Sequence, residues 1–183
     1  MKKTFEVPPR DKVSLVHQAS YDNLVKALGF VPNLYAQFAH SDNALSIYLA
    51  AQNAKSSLTN REKEAVNLIV SQVNDCAYCI AAHTIGARKN GFLDYQILEL
   101  RNGVASFDDR IDALVRLAKD IAGNKGKVDP EIVNNFLVAG YTRGNLIDVI
   151  MLVGIRSIAN YVFALTAPPI DFPVAPQLVT RSN

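Results

Sequence analysis

A chain of 183 residues is long enough to bury a hydrophobic core in one domain without disulfide or metal staples. Nineteen basic against seventeen acidic residues leave a formal charge of +2, which excludes a strongly basic nucleic-acid surface. Two cysteines exclude a disulfide scaffold, and 49% hydrophobic with 20% charged residues is the composition of a soluble globular protein.

The opening MKKTFEVPPR has basic residues but no apolar run behind them, so it does not read as a signal peptide. Pro8-Pro9 predict an extended segment over 1–12. Almost every periodic stretch after it has helical spacing, and none alternates as a strand does. A helix is predicted from about Val13 to Leu28, stopped by Gly29. A short one follows Pro32, and SDNALSIYLAAQNA forms another, capped by Ser41 or Asp42. Thr59-Asn60-Arg61-Glu62 is a capping-box sequence ahead of the apolar positions Ala65, Val66, Leu68, Ile69 and Val73.

Asn74-Asp75 breaks that helix, and either residue can cap a new one that carries Cys76, Cys79 and His83 and ends at Asn90-Gly91. Four further helices follow in FLDYQILELRNG, FDDRIDALVRLAKDIAGNKG, DPEIVNNFLVAG and TRGNLIDVIMLVGIRSIANYVFAL. The last is strongly apolar, yet Asp148, Arg156 and Asn160 argue for a buried helix rather than a membrane span. NGFLDYQILEL and AGYTRGNLIDVIML share a pattern of Gly, aromatic, polar break and apolar helix, a weak sign of duplication. The fold class is therefore all-α: a single-domain helical bundle over 13–167, with a Pro-rich tail from 168 to 183.

On a helix, positions three, four and seven apart share a face, so Cys76, Cys79 and His83 form one stripe with Cys79 nearest the imidazole. If the chain reverses at Asn74-Asp75, Glu64 lies roughly 15 Å and His83 roughly 12 Å from the turn, at similar heights. Glu62 is on another face and belongs to the cap, so Glu64 is the better partner for His83. The arrangement suits a thiol enzyme: a thiolate favoured by a nearby His⁺ and a helix N-terminus, an acid orienting the imidazole, and a second thiol one turn away. Two inert buried cysteines and a zinc site of Cys76, Cys79, His83 and Glu64 are the competing readings, though no second Cys/His pair completes the latter. His17 and His40 lack partner motifs and read as surface or half-buried residues, Asn160 as a satisfied buried amide, and Tyr78 as packing or pocket alike.

Glu64, eleven intervening residues, and then Cys76-x-x-Cys79-x-x-x-His83 resemble the signature of the alkylhydroperoxidase D-like branch of the carboxymuconolactone decarboxylase superfamily. GFVPNLYAQFAHSDNALSIYLAAQ and LTNREKEAVNLIVSQVNDCAYCIAAHTIGARKNGF are similar to its peroxidase-related members, and the likeness covers roughly residues 20–165. The resemblance implies an all-helical homo-oligomer that reduces hydroperoxides by a dithiol–disulfide cycle. It makes Cys79 peroxidatic, Cys76 resolving, and His83 with Glu64 the proton relay. It implies no bound cofactor or metal, a small-molecule hydroperoxide as substrate and a dithiol reductant as partner. One departure stands out: Tyr78 occupies the place of the family's second histidine, and a phenol with a pKa near 10 does not shuttle protons at neutral pH. The founding decarboxylases lack the cysteine pair, which makes decarboxylation a poor fit. A protein disulfide reductase or redox sensor, and a non-catalytic zinc-binding oligomer, are the alternatives. A cytoplasmic location, with no nucleic-acid or membrane partner, completes the expectations.

Overall fold

The computed structural model describes residues 5–178, and all regular structure among them is helical. A 3₁₀ turn at Arg10–Lys12 interrupts the segment read as extended. It precedes α1 (Leu15–Leu28), α2 (Asn33–Phe38), α3 (Ala44–Gln52), α4 (Asn60–Val73), α5 (Ala77–Lys89), α6 (Asp94–Asn102), α7 (Asp109–Gly123), α8 (Pro130–Val138) and α9 (Arg143–Thr166). These follow the predicted order. The chain packs as two compact units, residues up to Lys55 with Tyr161–Asp171, and Ser56–Asn160 with the segment from Phe172. Residues 179–183 of the Pro-rich tail lie outside the described residues.

The smaller unit holds α1 to α3. Ser14 caps α1, and Gly29 ends it at φ 87°, a left-handed conformation that favours glycine. Asn43 precedes α3 where Ser41 or Asp42 was expected, and makes no side-chain cap. Ser41 has another use: its carbonyl accepts a 2.8 Å hydrogen bond from Nε2 of His17. That bond lets His17 sit 1% exposed on α1, whereas the sequence reading placed it at or near the surface. His40 is exposed, with Nε2 3.0 Å from the Glu6 carbonyl.

In the larger unit α4 is the central helix and packs on α5, α6 and α7. Both halves of its capping box form: the Glu62 N–H donates to Thr59 Oγ1 (3.2 Å) and the Thr59 N–H to Glu62 Oε2 (2.8 Å). The other Glu62 oxygen accepts from the Tyr141 hydroxyl at 2.8 Å, which ties the start of α4 to the loop before α9. Leu68, Ile69, Leu100, Leu114, Leu117 and Phe136 are almost fully buried and form the centre of the core.

The two similar stretches repeat one local arrangement. Gly91 and Gly140 both have φ near +85° (82° and 90°), and each is followed by a buried aromatic and then a helix. An arginine lies over each ring: Arg61 3.9 Å from the centroid of Phe92, Arg110 4.3 Å from that of Tyr141.

Helix α9 departs from the sequence reading. It is buried along one stripe only, at Val149, Val153, Arg156, Ala159 and Asn160, so Arg156 and Asn160 face inward, while Asp148 lies off the stripe and accepts from the Ser57 N–H at 2.6 Å.

Candidate active site

The chain leaves α4 through Asp75, whose φ of 51° turns the backbone sharply, and the Cys76 N–H returns to the Ser71 carbonyl at 2.9 Å. Neither Asn74 nor Asp75 caps α5. Cys76 itself is the N-cap, its Sγ accepting the Cys79 N–H at 3.3 Å. Asn74 instead closes α4, and its amide donates to Asn160 Oδ1 at 3.0 Å. The turn thus holds both cysteines, each 1% exposed, across the first turn of a helix, where unpaired N–H groups favour negative charge.

Glu64 of α4 and His83 of α5 meet as the antiparallel hairpin requires, with Nδ1 to Oε2 at 2.7 Å. Their side chains are 17% and 15% exposed. Burial pushes the Glu64 carboxyl up, but the facing His83 and the Arg156 charge outweigh it and bring the pKa below its usual value. Burial, aided by Arg156, holds the His83 pKa below its ordinary value in spite of Glu64. At neutral pH this is an ionised carboxylate accepting from Nδ1–H of a neutral imidazole, which leaves Nε2 with a lone pair.

Two groups that the sequence reading took only as polar interruptions of an apolar helix, Asn160 as a satisfied buried amide, lie beside this pair. Arg156, 3% exposed, donates from Nε to Asn67 Oδ1 at 3.1 Å, and its charge acts on Cys79, Glu64 and His83 together. Asn160, one turn further along α9, favours the ionised form of both thiols and donates to Ser71 Oγ at 3.5 Å. The only signal available in the sequence was a charge and an amide four apart in a strongly apolar segment.

The two thiols are driven apart in acidity. A hydrogen bond from Cys76, working against burial and joined by Arg156 and Asn160, brings Cys79 down to about 7. That same bond to Cys79, with burial and the adjacent negative charge, holds Cys76 far above the ordinary thiol range. The cation that lowers Cys79 is therefore Arg156 and not, as expected from the sequence, a protonated His83. Tyr78, 2% exposed, packs edge-on to Phe172 with centroids 5.4 Å apart. Gly86, one turn after His83, lies so close to Glu64 that a Cβ there would be 2.8 Å from its carboxylate.

Among the described residues no group of three or more His, Cys, Asp or Glu side chains is placed to hold a metal ion. The arrangement can hold one thiolate and one protonated thiol side by side, next to a neutral imidazole oriented by a carboxylate.

Residues 39–120 match the profile of the carboxymuconolactone decarboxylase family. Three solved structures share the fold over nearly the whole chain. An uncharacterized peroxidase-related protein from Silicibacter sp. TM1040 is 22% identical, with a TM-score of 0.82 and 97% of each chain covered. An uncharacterized peroxidase-related protein from Ralstonia eutropha JMP134, described as an alkylhydroperoxidase AhpD core, is 18% identical, with a TM-score of 0.82 and 91% of each chain covered. A cysteine-to-alanine variant of the debrominase Bmp8, in complex with 2,3,4-tribromopyrrole, is 15% identical, with a TM-score of 0.77 and 93% of each chain covered.

Proposed function

We propose that the chain is a member of the alkylhydroperoxidase D-like/carboxymuconolactone decarboxylase superfamily, a reading supported by the profile match over residues 39–120 and by the shared fold, and that it is a thiol-dependent peroxidase-like oxidoreductase acting on organic hydroperoxides. The observation that carries this reading is the split in acidity between Cys79 and Cys76, one turn apart beside the Glu64–His83 pair.

In the first step His83 Nε2 takes the Cys79 proton, and Glu64 stabilises the imidazolium so formed. The Cys79 thiolate attacks the terminal oxygen of ROOH. An S–O bond forms, the O–O bond breaks, and the leaving alkoxide takes back the proton as ROH. In the second step Cys76 attacks the sulfenic sulfur, the S–O bond breaks, and water leaves with the Cys76 proton as the S–S bond closes. An external dithiol then reduces the disulfide and is itself oxidised. Arg156 and Asn160 hold the negative charge on Cys79 before attack and lower the energy of the anion.

The test is an intact mass of the reduced protein before and after one equivalent of cumene hydroperoxide. A loss of about two mass units in the parent, with an added oxygen kept only by Cys76→Ser, supports the assignment. A protein that leaves the peroxide intact and its own thiols reduced overturns it. The debrominase relative supports a second reading, in which the same thiolate attacks a brominated pyrrole. Bromide release from a brominated pyrrole in the presence of a dithiol, with no turnover of peroxide, selects it.

A further inference from the structure

Arg101, in the last turn of α6, is a buried cation, 6% exposed. Its Nε donates to Gln72 Oε1 at 2.9 Å and its Nη1 to the Pro176 carbonyl. Both acceptors are neutral. Among the described residues no carboxylate pairs with it, and burial lowers its pKa with no acid to oppose the shift. The site groups are compensated differently: Glu62 has Arg110 at 3.5 Å, and the charge of Arg156 acts on Glu64. A buried guanidinium held by two neutral oxygens keeps an uncompensated charge and three unused N–H donors.

The segment that supplies the carbonyl has a second anchor. Phe172 packs edge-on against Tyr78 with centroids 5.4 Å apart, while Val174 between the anchors is 87% exposed. Residues 172–176 thus lie on the protein as an amphipathic molecule would, an apolar ring at one end and an acceptor oxygen on a buried cation at the other. The two anchors flank the cysteine turn: Gln72 precedes Asn74-Asp75, and Tyr78 stands between Cys76 and Cys79.

We propose that residues 172–176 occupy a ligand's place, and that Arg101 and Tyr78 form a binding site for a carboxylate carried on an apolar chain. A carboxylate meets the guanidinium with both oxygens and supplies the charge that the Pro176 carbonyl lacks. The apolar chain takes the surface of Tyr78 that the Phe172 ring leaves. Fully extended, the four steps from Phe172 to Pro176 reach about 14 Å, close to the length of an alkyl chain of about ten carbons. Residues 172–176 hold no helix or strand, so their departure breaks no regular backbone pairing. The site does not depend on the chemistry of Cys79, and its occupancy is read without peroxide.

The chain has no tryptophan, so Phe172→Trp in the full chain places a single fluorophore on the tail. Titration of this reduced variant with decanoate, below its micellar concentration, is expected to shift the emission to the red and to saturate as the indole leaves Tyr78. Calorimetry of the wild type with decanoate gives the dissociation constant of the native tail. Arg101→Gln is expected to weaken decanoate at least ten-fold, and 1-decanol is expected to bind the wild type at least ten-fold more weakly than decanoate does. Should Arg101→Gln unfold, the comparison of decanoate with decanol on the wild type decides. Absence of both an emission shift and binding heat with decanoate overturns the proposal. So does decanol binding as tightly as decanoate, or a folded Arg101→Gln protein with an unchanged dissociation constant.

Discussion

The carboxylate of Glu64 lies against the backbone of Gly86, so close that a Cβ at residue 86 would stand 2.8 Å from it. Gly86 is one turn beyond His83 on the same helix, so the glycine opens the notch through which the acid reaches the imidazole. An alanine at this position is compatible with a helix and gains propensity, but it drives the carboxylate away. Gly86→Ala is therefore expected to leave the melting temperature near the wild-type value. Peroxide turnover falls about ten-fold or more, since acid–base assistance is worth about 10²–10⁴. The discriminating readout is the His83 titration by NMR. Glu64 raises that pKa in the wild type, so it moves further down in the variant. An unchanged titration means that the carboxylate has stayed in place.

Arg156 supplies the positive charge nearest in effect to Cys79. Arg156→Gln keeps polarity and removes the charge. The pH midpoint of Cys79 alkylation, measured by iodoacetamide trapping and mass spectrometry, is expected to rise from about 7 toward the unperturbed thiol value of about 8.5. Arg156→Lys restores the charge without the planar fork that reaches Asn67, and gives an intermediate midpoint. A midpoint that stays put in Arg156→Gln assigns the acidity to the hydrogen bond from Cys76 alone.

The helices, their order and the Glu64–His83 contact are legible in the sequence, because caps, glycine stops and helical rise act over short range. Thr59-Asn60-Arg61-Glu62 encodes its own box, and ten residues before a turn and eight after it fix two heights. The identity of the cap on α5 is not legible, since Cys76 takes that role only once Asp75 adopts a positive φ. Arg156 and Asn160 lie more than 70 residues from the cysteines in sequence, and only packing brings α9 to them. Their charge and amide read locally as interruptions in an apolar run. For the same reason the exposed side of α9 passes for core: a run of Ile, Leu, Met and Val looks alike facing a protein interior or facing solvent.

Acidity should weaken the fold through both members of the Glu64–His83 pair. The folded His83 pKa lies below its unfolded value of about 6.5, so below that pH the unfolded chain binds more protons. The folded Glu64 pKa lies below its unfolded value of about 4.3, and the same inequality holds there. Stability then rises with pH through both regions, because its slope follows the excess of protons bound by the unfolded state. Urea midpoints are expected to fall from pH 7 to pH 5, where His83 is the group responsible, and again toward pH 4 as Glu64 is protonated. In His83→Gln the first fall is reduced. An equal fall in that variant places the effect in other groups.

Glu62 and Glu64 are two residues apart and do different work, which gives the sharpest separation of stability from chemistry. Glu62 accepts from the Thr59 N–H and hydroxyl with one oxygen and from the buried Tyr141 hydroxyl with the other. Removing it by Glu62→Ala breaks the α4 cap and leaves Tyr141 without that acceptor, a loss expected to be about 2–4 kcal/mol. Tyr141→Phe removes one of these bonds and is expected to lose about 1 kcal/mol, while the stacking on Phe136 at 4.3 Å is retained. Neither change touches the thiols, so the Cys79 alkylation midpoint stays at its wild-type value in protein that remains folded. Glu64→Gln is the converse. Its amide can still accept from His83 Nδ1–H, so the fold at neutral pH loses little, but the charge that stabilises the imidazolium is gone. Turnover is expected to fall about 10²-fold or more, and the His83 titration to move down. Chemical denaturation and single-turnover peroxide consumption on the same preparations read the two effects apart. A Glu62→Ala protein that is folded, stable and inactive would move the relay from Glu64 to Glu62.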